Sequence, residues 1–156
     1  MNVEKSIKDG NMEIEDLNLN PALLKAINDL EYTELTPIQE RCIPAIRQGK
    51  DVVGQSSTGS GKTVAFALPI LEKIEQGKGV QSLILTPTRE LCVQVTDAIN
   101  DLGKYMHVKA ASVYGGVGIE PQIRAIRTAD IVVGTPGRII DHIQRKTINF
   151  ADVKIL

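Results

Sequence analysis

Short apolar runs alternate with longer amphipathic segments over most of this chain. The runs are Val52-Val53, Ser82 to Leu85, Val108 to Tyr114 and Ile131 to Val133. Helical periodicity follows each run, in segments 64–75, 90–102, 119–127 and 139–145. Four strand–helix pairs in series predict parallel strands joined by right-handed crossovers. The predicted fold class is α/β, a parallel sheet with helices on both faces.

Two further helices are predicted ahead of this alternation. The pair Asn20-Pro21 is typical of an N-cap followed by the first helical residue, and apolar residues recur after it at helical spacing. The pair Thr36-Pro37 opens a second helix over 38–48, which we expect Pro44 to interrupt and Gly49 to end. At the other end of the chain, Val153 to Leu156 begins like another buried strand.

Length and composition favour one globular domain. The chain has 156 residues, of which 42% are hydrophobic and 24% charged, and no apolar run approaches the roughly 18 residues of a membrane span. Residues 1–13 are polar and charged, without an apolar core typical of a secretory signal, so we expect a poorly ordered N-terminal segment and a cytoplasmic protein. A formal net charge of −1 requires any nucleic-acid contact to be local.

The cysteines and histidines show no pattern of their own. Cys42 and Cys92 are too few and too far apart for a zinc site, and we interpret them as small buried hydrophobic residues. His107 and His142 lack the partner spacing of a metal site or a catalytic triad, so we expect both at the surface or its boundary.

A glycine-rich segment between the first apolar run and its helix has the form of a phosphate-binding loop. It consists of Ser56, Ser57, Thr58, Gly59, Ser60, Gly61, Lys62 and Thr63. Gly59 and Gly61 allow the turn that directs backbone N–H groups inward, toward the positive end of the following helix. Lys62 can then reach the β- and γ-phosphates of a nucleotide, and the Thr63 hydroxyl can bind Mg²⁺. The alternative is a Gly/Ser-rich connector without a ligand.

Three more polar segments follow predicted strands: 86–90, Gly115-Gly116, and Thr135 to Arg138. Because ligands bind beyond the carboxyl ends of parallel strands, we expect these segments and the phosphate loop at one edge of the sheet. Helix N-termini, threonine hydroxyls and arginines are suited to binding phosphates. Any one of these segments alone could equally be a well-capped loop.

From about Glu15 to its end, the sequence resembles the DEAD-box ATP-dependent RNA helicases. The motifs are Thr36-Pro37-Ile38-Gln39 (Q motif), SSTGSGKT at 56–63 (motif I), Pro87-Thr88-Arg89-Glu90-Leu91 (motif Ia), Gly115-Gly116 (GG) and Thr135-Pro136-Gly137-Arg138 (TPGR). The resemblance implies that residues 14–156 form most of the first of the family's two RecA-like domains.

The resemblance also implies roles for single residues. Gln39 would pair with the N6 and N7 edge of adenine, which selects ATP, and Tyr32 would pack on the base, although a core contact is an equal alternative for Tyr32. Lys62 and Thr63 would act in catalysis, Thr63 through Mg²⁺. An RNA-backbone surface would comprise Pro87, Thr88, Arg89, Gly115, Gly116, Thr135, Pro136, Gly137 and Arg138.

The sequence departs from the family pattern in several ways. Ile14 lies where an aromatic residue is usual, and Cys92 lies where alanine is common. Glu31 occupies a position where the family usually has glycine, and the chain ends before the family's Asp-Glu-Ala-Asp and its second domain. We therefore expect an ATP- and RNA-binding part of a helicase that lacks hydrolysis and unwinding by itself. A non-catalytic binding module from a degenerate helicase lobe is the main alternative. A P-loop kinase or transporter ATPase would share the loop but would leave Gln39 and TPGR unexplained.

Overall fold

The computed structural model describes residues 13–156. The N-terminal segment for which we predict poor order therefore lies outside the described residues, except for Glu13, which forms an isolated antiparallel bridge with Glu34. The chain divides into two compact units, the first ending at Glu72 and the second running from Lys73 to Leu156.

The first unit is helical in its described part. A 3-10 helix, Ile14–Leu17, precedes α1 (Pro21–Asp29), α2 (Pro37–Arg47) and α3 (Lys62–Lys73). The predicted cap of α1 is confirmed, because Asn20 Oδ1 accepts a hydrogen bond of 2.9 Å from the Leu23 amide. The largest buried side chains of the unit are those of Leu23, Ile27, Ile43, Leu68 and Leu71.

Helix α2 continues through Pro44, so the predicted interruption is wrong. A proline inside a helix removes one backbone hydrogen bond, but tertiary burial of an amphipathic face can outweigh that loss. The face of α2 that includes Cys42 and Ile43 is buried. The predicted end at Gly49 is confirmed: Gly49 has a φ of 76°, and its amide bonds to the Ile46 carbonyl at 3.0 Å.

Helix α1 ends in the same way, but without a glycine. The Glu31 amide bonds to the Asn28 carbonyl at 3.0 Å, and the Tyr32 amide bonds to the Ile27 carbonyl at 3.3 Å. This pair of bonds is the Schellman motif, which requires a left-handed residue after the helix. Glu31 supplies it with a φ of 57°, a conformation that is costly for a residue with a Cβ.

Glu31→Gly should therefore stabilise the protein. We expect the free energy of unfolding to rise by about 0.5–1 kcal/mol, because glycine adopts this conformation without the Cβ penalty. Urea unfolding followed by circular dichroism measures the change. The reverse substitution at the equivalent position of α2, Gly49→Ala, should lower stability by a similar amount, since no atom lies within 4 Å of the added methyl group. A decrease for Glu31→Gly would contradict the prediction.

The second unit contains a parallel sheet flanked by helices. Its elements are β1 (Ser82–Leu85), α4 (Arg89–Gly103), β2 (Ala110–Val113), α5 (Ile119–Ile126), β3 (Ile131–Gly134) and α6 (Pro136–Gln144). The strand order is β1-β3-β2, and both pairings are parallel. The core cluster consists of Val80, Leu83, Val113, Ile126, Val132 and Ile139. The predicted α/β class is confirmed.

The strand predictions fail at Val52-Val53 and hold only partly at the C-terminal end. Val52-Val53 is not a strand, and the Val53 side chain is fully exposed. Within residues 13–156, this dipeptide joins no strand pairing; an apolar run becomes a strand only when a neighbour accepts its hydrogen bonds. Near the last residue, Ile155 forms a single parallel bridge with Ser82, and the Leu83 amide bonds to the Ile155 carbonyl at 3.0 Å.

Candidate nucleotide and nucleic-acid sites

The glycine-rich loop of the first unit has the backbone geometry of a phosphate-binding loop. Gly59 and Gly61 both adopt left-handed conformations, with φ values of 76° and 83°. Helix α3 begins at Lys62, directly after the second glycine. The unpaired N–H groups of the first helical turn and the positive end of the helix dipole therefore lie next to the loop. This arrangement can bind an anion.

The Lys62 ammonium group lies against the loop. Its Nζ donates to the carbonyl oxygens of Ser56 at 2.8 Å and Ser57 at 2.6 Å. The hydroxyl groups of Ser56 and Ser60 are 2.5 Å apart and join the two sides of the loop. A lysine ammonium has three donors and no acceptor, so phosphate oxygens can replace these carbonyls as its partners.

Gln39 links α2 to the loop. Its carboxamide Oε1 accepts from the Thr36 amide at 3.0 Å, and its Nε2 donates to the Gly61 carbonyl at 3.1 Å. The residue is only 2% exposed. An amide side chain retains one further N–H and one further lone pair after these bonds, which is the pair needed to read an adenine edge. The sequence analysis did not foresee the anchoring contact with Gly61.

Gly61 is enclosed by this link. A Cβ atom at Gly61 would overlap Gln39 Nε2 and would lie 3.2 Å from Thr36 Oγ1. At Gly59 the surroundings are open.

Tyr32, the predicted base-packing residue, is 42% exposed.

The three polar segments of the second unit lie at one edge of its sheet, as predicted for them. The register pairs both Leu85 and Val113 with Gly134, so the three strands end at the same level. Beyond this level, the Thr86 amide bonds to the Gly134 carbonyl, and the Thr135 amide bonds to the Val113 carbonyl, each at 2.9 Å. The phosphate loop lies in the first unit.

The first of these segments contains a capped helix start. Thr88 is the N-cap of α4, and its Oγ1 accepts from the Leu91 amide at 3.2 Å. Arg89 is exposed, and its guanidinium carbon lies 4.8 Å from the centre of the Tyr114 ring. The glycine pair follows Tyr114, and Gly116 adopts a φ of 82°.

Arg138 is more buried than a simple phosphate-binding arginine would be. Its side chain is 13% exposed, and its Nη2 donates to the Val117 carbonyl at 3.0 Å. Its Nε lies 3.7 Å from Asp141 Oδ2, and its Nη1 is buried and has no hydrogen-bond partner among residues 13–156. Arg138 thus supports the loop that contains the glycine pair. The neighbouring Pro136 and Gly137 are exposed in the first turn of α6, which begins earlier than predicted.

His142 is fully buried, so the prediction of a surface or boundary position is wrong. It lies one turn after Ile139 on the buried face of α6, a spacing that could have indicated burial. Its Nδ1 is 2.7 Å from Thr147 Oγ1, and its Nε2 is 3.3 Å from Gln122 Oε1. Burial lowers the pKa of His142, and the nearby Arg138 lowers it further.

The predicted burial of both cysteines and the predicted surface position of His107 are confirmed. His107 is exposed. Cys42 and Cys92 are both free and buried, and burial raises the pKa of the Cys92 thiol. In the described part of the chain, no three or more His, Cys, Asp or Glu side chains are grouped so that they could hold a metal ion. Among the helices in residues 13–156, none combines the length and the apolar character that crossing a bilayer requires.

A comparison with models of known protein families agrees with the motifs found in the phosphate loop and in the strand-end segments. The family model described as DEAD/DEAH box helicase matches residues 36–156. The chain belongs to this helicase family. Its sequence is 46% identical over 147 residues to the ATP-dependent RNA helicase CshA of Limosilactobacillus reuteri, covering 93% of this chain and 30% of that protein. The DEAD-box ATP-dependent RNA helicase CshA of Bacillus cereus is 45% identical over 141 residues, 89% of this chain and 27% of that protein.

The fold of this helicase-family chain agrees with solved structures. The crystal structure of a DEAD box protein from Methanococcus jannaschii matches with a TM-score of 0.87 and 44% identity. The match covers 93% of this chain and 40% of that one. These figures confirm the resemblance to DEAD-box proteins and the RecA-like α/β fold. The chain spans less than half the length of each of these relatives.

Proposed function

We propose that these residues form the ATP-binding and RNA-backbone-binding part of an ATP-dependent RNA helicase. The whole protein would couple ATP hydrolysis to the unwinding of RNA duplexes, and we expect it to work in the cytoplasm. The observation that carries the proposal is the Gln39 carboxamide bonded to Gly61 of the phosphate loop, within a chain that belongs to the helicase family. This contact supports the proposal, because an amide side chain is able to read an adenine edge and Gly61 belongs to the proposed phosphate-binding loop.

The phosphate loop fits the triphosphate of ATP. The left-handed Gly59 and Gly61 and the start of α3 provide backbone N–H donors, and Lys62 provides a positive charge. In the proposal, Lys62 neutralises the β- and γ-phosphates, and the Thr63 hydroxyl binds the Mg²⁺ that accompanies ATP. The ion supplies charge neutralisation of the phosphates when bound. Lys62 and Thr63 are thus the proposed catalytic residues of this chain.

The base of ATP is the proposed partner of Gln39 and Tyr32. Gln39 retains one donor and one acceptor after its two internal hydrogen bonds, and Tyr32 has an accessible ring. An adenine presents the complementary acceptor and donor at N7 and N6, whereas guanine presents only acceptors along that edge. The proposed specificity for ATP over GTP therefore depends on the Gln39 carboxamide, which is bonded to Gly61 of the phosphate loop.

The strand-end segments of the second unit are the proposed RNA surface. Exposed glycines, the capped start of α4 and the start of α6 offer N–H groups and hydroxyls at one sheet edge. Contacts of this kind bind sugar and phosphate without reading the base sequence. The proposed residues are Pro87, Thr88, Arg89, Gly115, Gly116, Thr135, Pro136, Gly137 and Arg138, with Arg138 acting through the Val117 carbonyl that it holds.

A titration with a fluorescent adenine nucleotide and Mg²⁺, competed with unlabelled ATP and GTP, tests the nucleotide half of the proposal. ATP should compete more strongly than GTP. In Gln39→Ala we expect this preference to fall by roughly tenfold to a hundredfold, the value of a bidentate base contact. If Gln39 only held the phosphate loop through its bond to Gly61, the substitution would instead weaken the binding of ATP and GTP equally.

Gln48→Ala is a matched control for this titration, because Gln48 is an exposed glutamine at the end of the same helix. It should leave both affinities unchanged. An unaltered ATP preference in Gln39→Ala would overturn the assignment of Gln39, and equal binding of ATP and GTP by the parent chain would overturn the proposed specificity. The family membership leaves no support for a P-loop kinase or a transporter ATPase.

A further inference from the structure

Tyr114 contacts an arginine that comes from a different part of the chain. The residue directly follows β2, and its ring lies under the guanidinium group of Arg89, in the first turn of α4. The distance of 4.8 Å from the guanidinium carbon to the ring centre is typical of a cation–π contact. Such a contact occupies one face of the planar guanidinium and leaves its N–H edge available for hydrogen bonds. Because Arg89 is exposed, that edge can reach a phosphate.

The backbone of Tyr114 is fixed by buried side chains. Gln122 Nε2 donates to the Tyr114 carbonyl at 2.9 Å, while Gln122 Oε1 lies 3.3 Å from His142 Nε2. His142 Nδ1 in turn lies 2.7 Å from Thr147 Oγ1. Gln122 and His142 are buried, so these bonds are protected from competition with water. The Tyr114 backbone is therefore held in place, and the Arg89 guanidinium packs on the ring of this anchored residue.

The far end of the same loop is also held. Arg138 donates to the Val117 carbonyl at 3.0 Å, so the glycine pair lies between two anchored residues. Gly115 and Gly116 themselves are exposed, and within the described part of the chain no atom beyond their immediate neighbours lies within 4 Å of the position that a Cβ would occupy. The loop thus combines fixed ends with an accessible middle, beside an arginine whose position depends on the Tyr114 ring.

We propose that Tyr114 is a positioning residue for RNA binding: its ring holds the Arg89 guanidinium beside the Gly115-Gly116 loop, so that one phosphate group meets both. This inference rests on the proposed RNA-binding function. Tyr114 acts through Arg89 rather than by contacting the phosphate itself. In its absence, Arg89 would remain charged but would lose rotamer entropy on each binding event.

A double-mutant cycle tests this role on the 156-residue chain. The probe is a fluorescently labelled single-stranded oligouridylate, and the variants are Arg89→Ala, Tyr114→Leu and the two combined. Arg89→Ala should weaken RNA binding roughly tenfold, because a charge-assisted hydrogen bond is lost. Tyr114→Leu should weaken it by about two- to fivefold, the value of an exposed cation–π contact. In the Arg89→Ala background, Tyr114→Leu should have no further effect.

Two controls separate positioning from a structural role. Tyr114→Phe retains the ring and should bind RNA like the parent chain. Tyr105 also carries a cation above its ring, with Lys104 Nζ 4.9 Å from the ring centre, but it lies outside the proposed surface. Tyr105→Leu should therefore leave RNA affinity unchanged. Urea unfolding of each variant shows whether any loss of affinity follows from loss of stability.

The dependence of affinity on salt gives a second readout. Removing one phosphate contact should reduce the slope of log affinity against log salt by about 0.7. We expect this reduction in Arg89→Ala, whereas Tyr114→Leu retains the Arg89 charge and should lower affinity with the slope of the parent chain. Additive effects of the two substitutions, or an unchanged affinity in Tyr114→Leu, would overturn the inference while leaving RNA binding intact. Absence of RNA binding by the parent chain would overturn the proposed function and the inference with it. An unchanged affinity in Arg89→Ala would instead overturn the inference and the assignment of Arg89 to the RNA surface, but not RNA binding itself.

Discussion

Gly61→Ala should reduce nucleotide affinity by roughly a hundredfold, equivalent to about 2.7 kcal/mol. The new methyl group would overlap Gln39 Nε2, and the φ of 83° at this position is strained for alanine. Relief of the overlap requires Gln39 to leave the Gly61 carbonyl, which also disturbs its bond to the Thr36 amide. The free energy of unfolding should fall by about 2–4 kcal/mol, from backbone strain and lost hydrogen bonds.

Gly59→Ala is the matched control for this loop. Its φ of 76° is nearly the same, but no atom lies within 4 Å of the added methyl group. We expect a loss of stability of about 0.5–1 kcal/mol, as for Gly49→Ala, from the left-handed conformation alone. Urea unfolding and the nucleotide titration measure the two effects side by side. Equal losses in the two variants would show that the contact between Gln39 and Gly61 contributes nothing beyond the backbone conformation.

Acidification should destabilise the protein through His142. The unfolded chain binds a proton near the ordinary pKa of 6.5, whereas burial and Arg138 keep the folded His142 neutral to lower pH. The stabilising contribution of neutral His142 is therefore present above pH 6.5 and is lost as the pH falls from there to the folded pKa. Within that window the slope approaches about 1.4 kcal/mol per pH unit for one proton.

Charges around His142 act in both directions. Arg138 and Arg145 lower its pKa, Asp141 raises it, and burial has the largest effect. The bond from Arg145 lowers the pKa of Asp141 itself below its usual 3.8. The contribution of ionised Asp141 is lost only as the pH falls through that lower value, so its window lies below the histidine window.

The test compares urea unfolding from pH 7 downward in three proteins. His142→Gln should remove the histidine slope, since glutamine does not titrate and can still bond to Gln122 and Thr147. His107→Gln is the matched control at an exposed histidine and should keep the slope. A slope that persists unchanged in His142→Gln would refute the assignment.

Local chemistry explains which features were predictable. Asn20 caps α1, Gly49 ends α2, and Gly59 and Gly61 turn the phosphate loop, because each depends on the conformational preferences of the residue itself. The parallel sheet and the level strand ends also follow from the alternation of apolar runs with helices. The sequence could therefore reveal the fold class and the family motifs.

Features that depend on a distant partner required the tertiary structure. The packing around α2 outweighs the break expected at Pro44, and Val52-Val53 remains without a strand partner among the described residues. His142 is buried against Gln122 and Thr147 although histidine is equally common at surfaces. Only the folded chain shows that Gln39 holds Gly61 and that Tyr114 holds Arg89, because contacts between residues far apart in sequence leave no local pattern. The sequence by itself determined which groups can bind phosphate, whereas tertiary packing decided which side chains hold those groups in place.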